Sequence, residues 1–143
     1  MTIELVPLAT AHFTLAPAIL IPNGPMGTRA IVDVTSATIT GARLDATMKG
    51  SAAADWATIS PDGTVLSLDV RVTLETTDGA VILLQYGGRI DAAPGFGAAP
   101  VYTAPRFETG DERYAWLNLV QAVGKGHMTP DLSELTYDLY EVR

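Results

Sequence analysis

The chain has 143 residues, no cysteine and a formal net charge of −7; this is length enough for one domain with its own core, and it excludes a disulfide scaffold, thiolate metal sites and cysteine nucleophiles. With 16 Asp and Glu against 9 Lys and Arg, nucleic acid and anionic membranes are disfavoured as partners. Only 17% of residues are charged while 48% are hydrophobic, so apolar surface is expected to be covered in a homo-oligomer or turned inward around a small-molecule cavity.

The opening MTIELVPLAT lacks the basic region and apolar run of a secretory signal, and no segment reaches the ~18 apolar residues of a membrane span, so a cytoplasmic protein is the expectation. Turn markers then recur at short spacing: Pro22-Asn23-Gly24-Pro25, Pro61-Asp62-Gly63, Thr77-Asp78-Gly79, Gly87-Gly88 and Gly124-Lys125-Gly126. Between them Glu4 to Leu8, Phe13 to Ala16, Ala30 to Thr35 and Thr38 to Leu44 read as strands. The segment DWATIS leads through a Pro-Asp-Gly turn into Val65 to Thr76, and Asp78-Gly79 reverses the chain into Val81 to Ile90, a meander of three antiparallel strands. Leu66, Leu68, Val70, Val72 and Leu74 occupy one face of the middle strand, and Ser67, Asp69, Arg71, Thr73 and Glu75 the other. The stretch Asp91 to Pro100, DAAPGFGAAP, reads as a connecting loop rather than a mobile lid.

Val101 to Phe107 and Leu135 to Val142 complete the strands. Between these two, Trp116, Leu119, Val120 and Val123 follow a helical spacing after Asp111. As a strand, the same segment would place Tyr114, Trp116 and Asn118 on one face. The pattern predicts an all-β fold, a single-domain closed or nearly closed antiparallel β-barrel of about eight to ten strands spanning residues 1–143, because closure removes exposed strand edges.

Several motifs occur in order: GTRAIVDV with the following Gly41 to Leu44, Ala54-Asp55-Trp56, LDVRVTLETTDGA at Leu68 to Ala80, PRFETGDERYAWLN at Pro105 to Asn118, and a tyrosine-rich final strand ending Tyr140-Glu141-Val142. Through this ordered set the chain, from about Met26 to Val142, resembles the domain of unknown function 3237 family, also called uncharacterised protein family 0311. The resemblance implies a small, mostly antiparallel β-barrel, favours a strand over Tyr114 to Val123, and carries no assigned activity. Ala92 to Ala99 is more uniform in Ala and Gly than the resemblance leads one to expect.

Asp69 and Arg71, about 7 Å apart on one strand face, could grip one ligand or form a solvent-facing ion pair; they match the family pattern and are candidate catalytic residues with Asp55. Asp55 stands beside Trp56, and a carboxyl desolvated by an indole can act as a general base. Arg106 and Phe107, followed by Tyr114, Trp116 and Asn118, join a forked cation to aromatic walls and an amide, a mix suited to an aromatic or enolate-forming ligand and equally to rim packing. Tyr86 and Tyr102 are candidate proton donors that spacing does not single out. His12 and His127 have no second ligand at metal spacing. No nucleophile elbow, phosphate loop or dinucleotide fingerprint occurs, so no cofactor and no metal is expected.

The function expected from these features is that of a small-molecule-binding barrel, a cofactor-independent lyase, hydratase or isomerase acting on a carbonyl-bearing metabolite, aromatic rings included. Arg71 or Arg106 would stabilise developing negative charge while Asp55 or Asp69 moves a proton. The alternative is a non-catalytic barrel that carries or senses a hydrophobic ligand.

Overall fold

The computed structural model describes residues 1–143. Its strands are β1 (Leu5–Leu15), β2 (Ile19–Gly24), β3 (Gly27–Thr40), β4 (Asp45–Met48), β5 (Ala54–Ile59), β6 (Val65–Thr76), β7 (Val81–Asp91), β8 (Val101–Thr103), β9 (Arg106–Glu108), β10 (Ala122–Met128) and β11 (Glu134–Val142), with one 3₁₀ helix at Glu112–Leu119. All pairings are antiparallel, and eight strands close a ring in the order β1-β3-β5-β6-β7-β8-β10-β11, where β11 pairs back onto β1. The additional strands add little width. β4 continues the line of β5 between β3 and β6, β9 continues that of β8 along β7, and β2 lies alone against β3. The predicted closed barrel is therefore the observed one.

Three local expectations change. Gly124-Lys125-Gly126 and Gly87-Gly88 lie inside β10 and β7 rather than at turns. At Gly126 a Cβ would fall 2.4 Å from Tyr137 Cδ1 and 2.4 Å from the Thr136 carbonyl oxygen, so the missing side chain is what lets the Tyr137 ring lie across the strand. The two strands expected near the N-terminus merge into one 11-residue β1, whose register shifts between Pro7 and Ala9.

The segment after Asp111 is neither the α-helix of its apolar spacing nor a strand throughout. It is a 3₁₀ helix capped by the Asp111 side chain, which accepts from the Arg113 amide. With three residues per turn, Tyr114, Leu117 and Val120 pack on the core, whereas Leu119, assigned to the apolar face by α-helical spacing, is 91% exposed.

That 3₁₀ helix covers one end of the barrel. Leu117 is fully buried in the core that contains Val72, Leu74, Ile82 and Leu84, residues next to the β6–β7 turn. No helix is long and apolar enough to cross a membrane. The β2 strand leaves Ile19, Leu20 and Ile21 exposed, with Met26 just beyond.

Candidate active site

The barrel is filled at one end and hollow at the other. On β6, Val72 and Leu74 belong to the filled half, while Leu66, Leu68 and Val70 line a cavity of about 500 Å³, a size suited to a drug-sized organic molecule. Opposite them β7 contributes Tyr86 and Ile90, β1 contributes Phe13, and β11 contributes Leu135 and Tyr137. Small side chains on β3 and β5, Ala30 and Ala57, leave the space open. Around the mouth stand Leu20, Phe96 of the 92–100 loop, and Leu132.

Asp55 is the one carboxyl in this apolar interior. The inward set on β5 is Asp55, Ala57 and Ile59. The ladder between β5 and β6 pairs Asp55 with Val70 and resumes only at Thr58 and Ser67. In the gap, the Asp69 amide donates to Asp55 Oδ1 at 2.9 Å, and the Trp56 carbonyl accepts from Arg29 Nη1 at 2.9 Å. The two side chains thus take over backbone hydrogen bonds that the opened ladder would leave unmet. Burial pushes the Asp55 carboxyl up to about 6; the Asp69 amide works against that shift, and the nearby Asp69 charge adds to it.

Beside it lie two phenols. The Tyr86 and Tyr137 rings meet edge-on at 5.8 Å between centres, and each also packs edge-on against Phe13. Desolvation raises both phenols far above the ordinary tyrosine value, and the Asp55 charge adds to the effect. The two hydroxyls are close enough to influence one another, yet the buried Tyr137 hydroxyl has no partner with ordinary hydrogen-bond geometry.

The remaining sequence candidates do not reach the cavity. Asp69 and Arg71 point outward, with side chains 51% and 49% exposed and 3.8 Å apart; this corrects their expected place in a pocket. The physical reason is the pleat: the even residues of β6 fill the barrel, so the odd ones must face water. Trp56 faces outward too, its ring 5.6 Å from the Arg71 guanidinium. Replacing Arg71 by alanine is therefore expected to change stability by no more than about 1 kcal/mol and to leave ligand binding intact, as denaturant titration with a fluorescent ligand would show. A loss of binding at unchanged stability would reinstate Arg71 in the site.

Arg106, Phe107, Tyr114, Trp116 and Asn118 gather instead at the closed end. Arg106 is exposed on β9, and Phe107 is buried in the core opposite Leu84. The Tyr114 hydroxyl donates to Asp78 Oδ1 at 2.8 Å, fixing the 3₁₀ helix to the β6–β7 turn. Arg43 lies 3.7 Å above the Trp116 ring. Asn118 closes the Thr109 loop, accepting from its amide and donating to its carbonyl, both at 2.9 Å. These residues build a lid of packing, as the rim-packing alternative held, and they sit at the wrong end to touch a ligand in the cavity. Tyr102 is exposed on β8, and His12 pairs with Glu134 on the surface at 3.7 Å.

Of the cavity's polar residues, sequence reasoning singled out Asp55 and passed over Tyr137. A signal was present: Tyr86 follows Ile82 and Leu84 in phase on β7, and Tyr137 stands between Leu135 and Leu139 on β11. A hydroxyl in an otherwise aliphatic inward row marks a group that needs a partner or a purpose.

The family model described as a protein of unknown function, DUF3237, matches residues 3–142. The chain is 32% identical over 130 residues to the hydroalkoxylation enzyme phnH of Penicillium herquei, covering 91% of this chain and 76% of that one. It is 29% identical over 104 residues to a UPF0311 protein of Bradyrhizobium diazoefficiens, covering 64% of this chain and 66% of that one. A solved β-barrel-like protein from Acinetobacter baumannii AYE superposes with a TM-score of 0.86 at 29% identity, covering 100% of this chain and 98% of the other.

Proposed function

The chain belongs to the DUF3237 family, and on that premise we propose that it is a cofactor-independent catalyst of lyase or isomerase type that adds an O–H group across a carbon–carbon double bond inside the barrel. The observation that carries this reading is Asp55, a carboxyl facing an apolar cavity with its pKa raised to about 6. The name of the Penicillium herquei relative supports the class of reaction.

Addition to an unactivated alkene begins with a proton. Neutral Asp55 delivers it to the less substituted alkene carbon, and the cationic centre left on the other carbon is captured by the substrate hydroxyl oxygen. The hydroxyl proton returns to the Asp55 carboxylate, so no atom and no electron is lost. Excluding water matters twice: it keeps Asp55 protonated, and it denies the cation a competing nucleophile. Tyr86 and Tyr137 hold the oxygen end in place. A carboxyl whose pKa burial brings to about 6 is placed to give and take a proton near neutral pH, and this favours chemistry over carriage alone.

A direct test uses 2-(2-methylallyl)phenol, whose ring closure to 2,2-dimethyl-2,3-dihydrobenzofuran leaves the mass unchanged and is followed by chromatography. Because the acid form is the active one, kcat/KM is expected to be level at low pH and to fall as pH rises through about 6. With substrate in place the remaining water leaves the cavity, so the falling limb of kcat lies at higher pH than that of kcat/KM. No closure, or a rate that rises through pH 6, overturns the proposal.

A further inference from the structure

The cavity wall carries charge of one sign only. Asp55 in the interior and Asp131 at the mouth line it, and no lysine, arginine or histidine does. Asp131 stays ionised: its carboxylate accepts from the Thr129 hydroxyl at 2.7 Å, the Ser133 hydroxyl at 2.7 Å and the Ser133 amide at 3.1 Å, which together pull it down to about 2. The cations on the two strands that flank β5 are spent elsewhere. Arg71 is paired with Asp69 on the exterior, and Arg29 donates to the Trp56 carbonyl.

A ligand carboxylate, sulfate or phosphate entering this space would lose its water, find no counter-ion and meet the Asp131 carboxylate, joined above about pH 6 by that of Asp55. An uncharged oxygen meets the opposite situation. The Tyr86 and Tyr137 phenols stand together in the wall, and the Tyr137 hydroxyl, with no partner of ordinary hydrogen-bond geometry, has only the Tyr86 oxygen nearby to accept from it. A ligand oxygen that accepts from Tyr86 leaves the Tyr86 oxygen free to accept from Tyr137, which supplies the missing bond.

We propose that this cavity selects uncharged, largely apolar ligands that present one hydroxyl or carbonyl oxygen to Tyr86, and that it rejects the carboxylate analogues of the same molecules. This rests on the reading of the cavity as the working site. It replaces the sequence-based expectation that Arg71 or Arg106 stabilises developing negative charge on the ligand, and it makes Tyr86 a specificity-determining residue.

The test is equilibrium competition on the intact chain, using N-phenyl-1-naphthylamine as a fluorescent occupant of the cavity near neutral pH. Three competitors share one ring system: naphthalene, 2-naphthol and 2-naphthoate. The expected result is that 2-naphthol displaces the probe at concentrations at least an order of magnitude below those 2-naphthoate needs. Tyr86→Phe is expected to abolish the advantage of 2-naphthol over naphthalene while leaving naphthalene itself unaffected, a result that also shows the variant is folded. Asp55→Asn is expected to narrow the gap between 2-naphthol and 2-naphthoate. The proposal is overturned if the probe does not bind, if 2-naphthoate competes as well as 2-naphthol, or if Tyr86→Phe changes none of the three. Failure here is separable from failure of the catalytic reading: ring closure abolished by Asp55→Asn alongside strong 2-naphthoate binding refutes only the selectivity. Discrimination without any ring closure refutes only the chemistry.

Discussion

Asp55→Asn is expected to yield a barrel up to about 3 kcal/mol more stable than the native one at pH 7 and slower in ring closure by about 10²- to 10⁴-fold. The stability gain follows from the direction of the pKa shift. Burial raises the folded-state value from 3.8 to about 6, so between those values the native protein holds a proton that the unfolded chain has released. Stability therefore falls as pH rises through this window, and it stays at the lower level above about 6. Asparagine has no charge to desolvate, and its Oδ1 can still accept from the Asp69 amide as Asp55 does at 2.9 Å. Its amide protons need acceptors in an apolar wall, which offsets part of the gain. Urea titrations of both proteins at pH 4 and pH 7 check the point: the difference is expected to be small at the lower pH and large at the higher. Equal stability at both would mean that Asp55 is solvated and its role as an acid unsupported. A more stable and less active variant is the pattern of a residue kept for chemistry at the expense of the fold.

The second large effect is expected at Gly126. Alanine there would place a Cβ 2.4 Å from both the Tyr137 ring and the Thr136 carbonyl oxygen. The carbonyl belongs to the adjacent strand and the ring to the core, so neither can yield without disturbing β11. A loss of about 3 kcal/mol is the expected outcome, at the upper end of ordinary overpacking, together with weakened binding of N-phenyl-1-naphthylamine as Tyr137 is displaced. Gly110→Ala serves as the control, because a Cβ at that position meets nothing within 4 Å; it is expected to shift stability by less than about 0.5 kcal/mol. Similar urea midpoints for the two variants would show that the glycine in β10 is not there to admit the ring.

The parts of the molecule that were legible beforehand share a physical cause. The β6–β7 hairpin was readable because side-chain alternation and an Asp78-Gly79 turn are properties of a few neighbouring residues, and the observed β6 coincides with Val65 to Thr76. The segment around Trp116 was not, because its apolar residues fit both a 3.6-residue and a 3-residue period, and only packing of Leu117 under the barrel end chose between them. Gly124 and Gly126 looked like turn residues for a similar reason. A glycine that loosens a loop and one that makes room for a ring read alike until the partner ring is in place.

Asp55 was identified as a candidate acid–base group from its neighbour Trp56, although that indole turns away; the desolvation comes from residues distant in sequence such as Leu68, Val70 and Tyr86. By itself the amino-acid sequence determined the β5–β7 meander and most of the other ring strands, the closed all-β architecture, the family and the presence of a carboxyl set in an apolar strand, while β2, β4 and β10 went unread. Only the tertiary structure decided which face of each strand is inside, which end of the barrel is filled, and therefore that Asp69, Arg71 and the Arg106 to Asn118 group lie away from the cavity while Asp55, Tyr86 and Tyr137 line it. The reason is that alternation along a strand has no sign. Local sequence separates two faces, but the assignment of one to the interior is made when β11 closes onto β1 and the larger apolar set is drawn out of water.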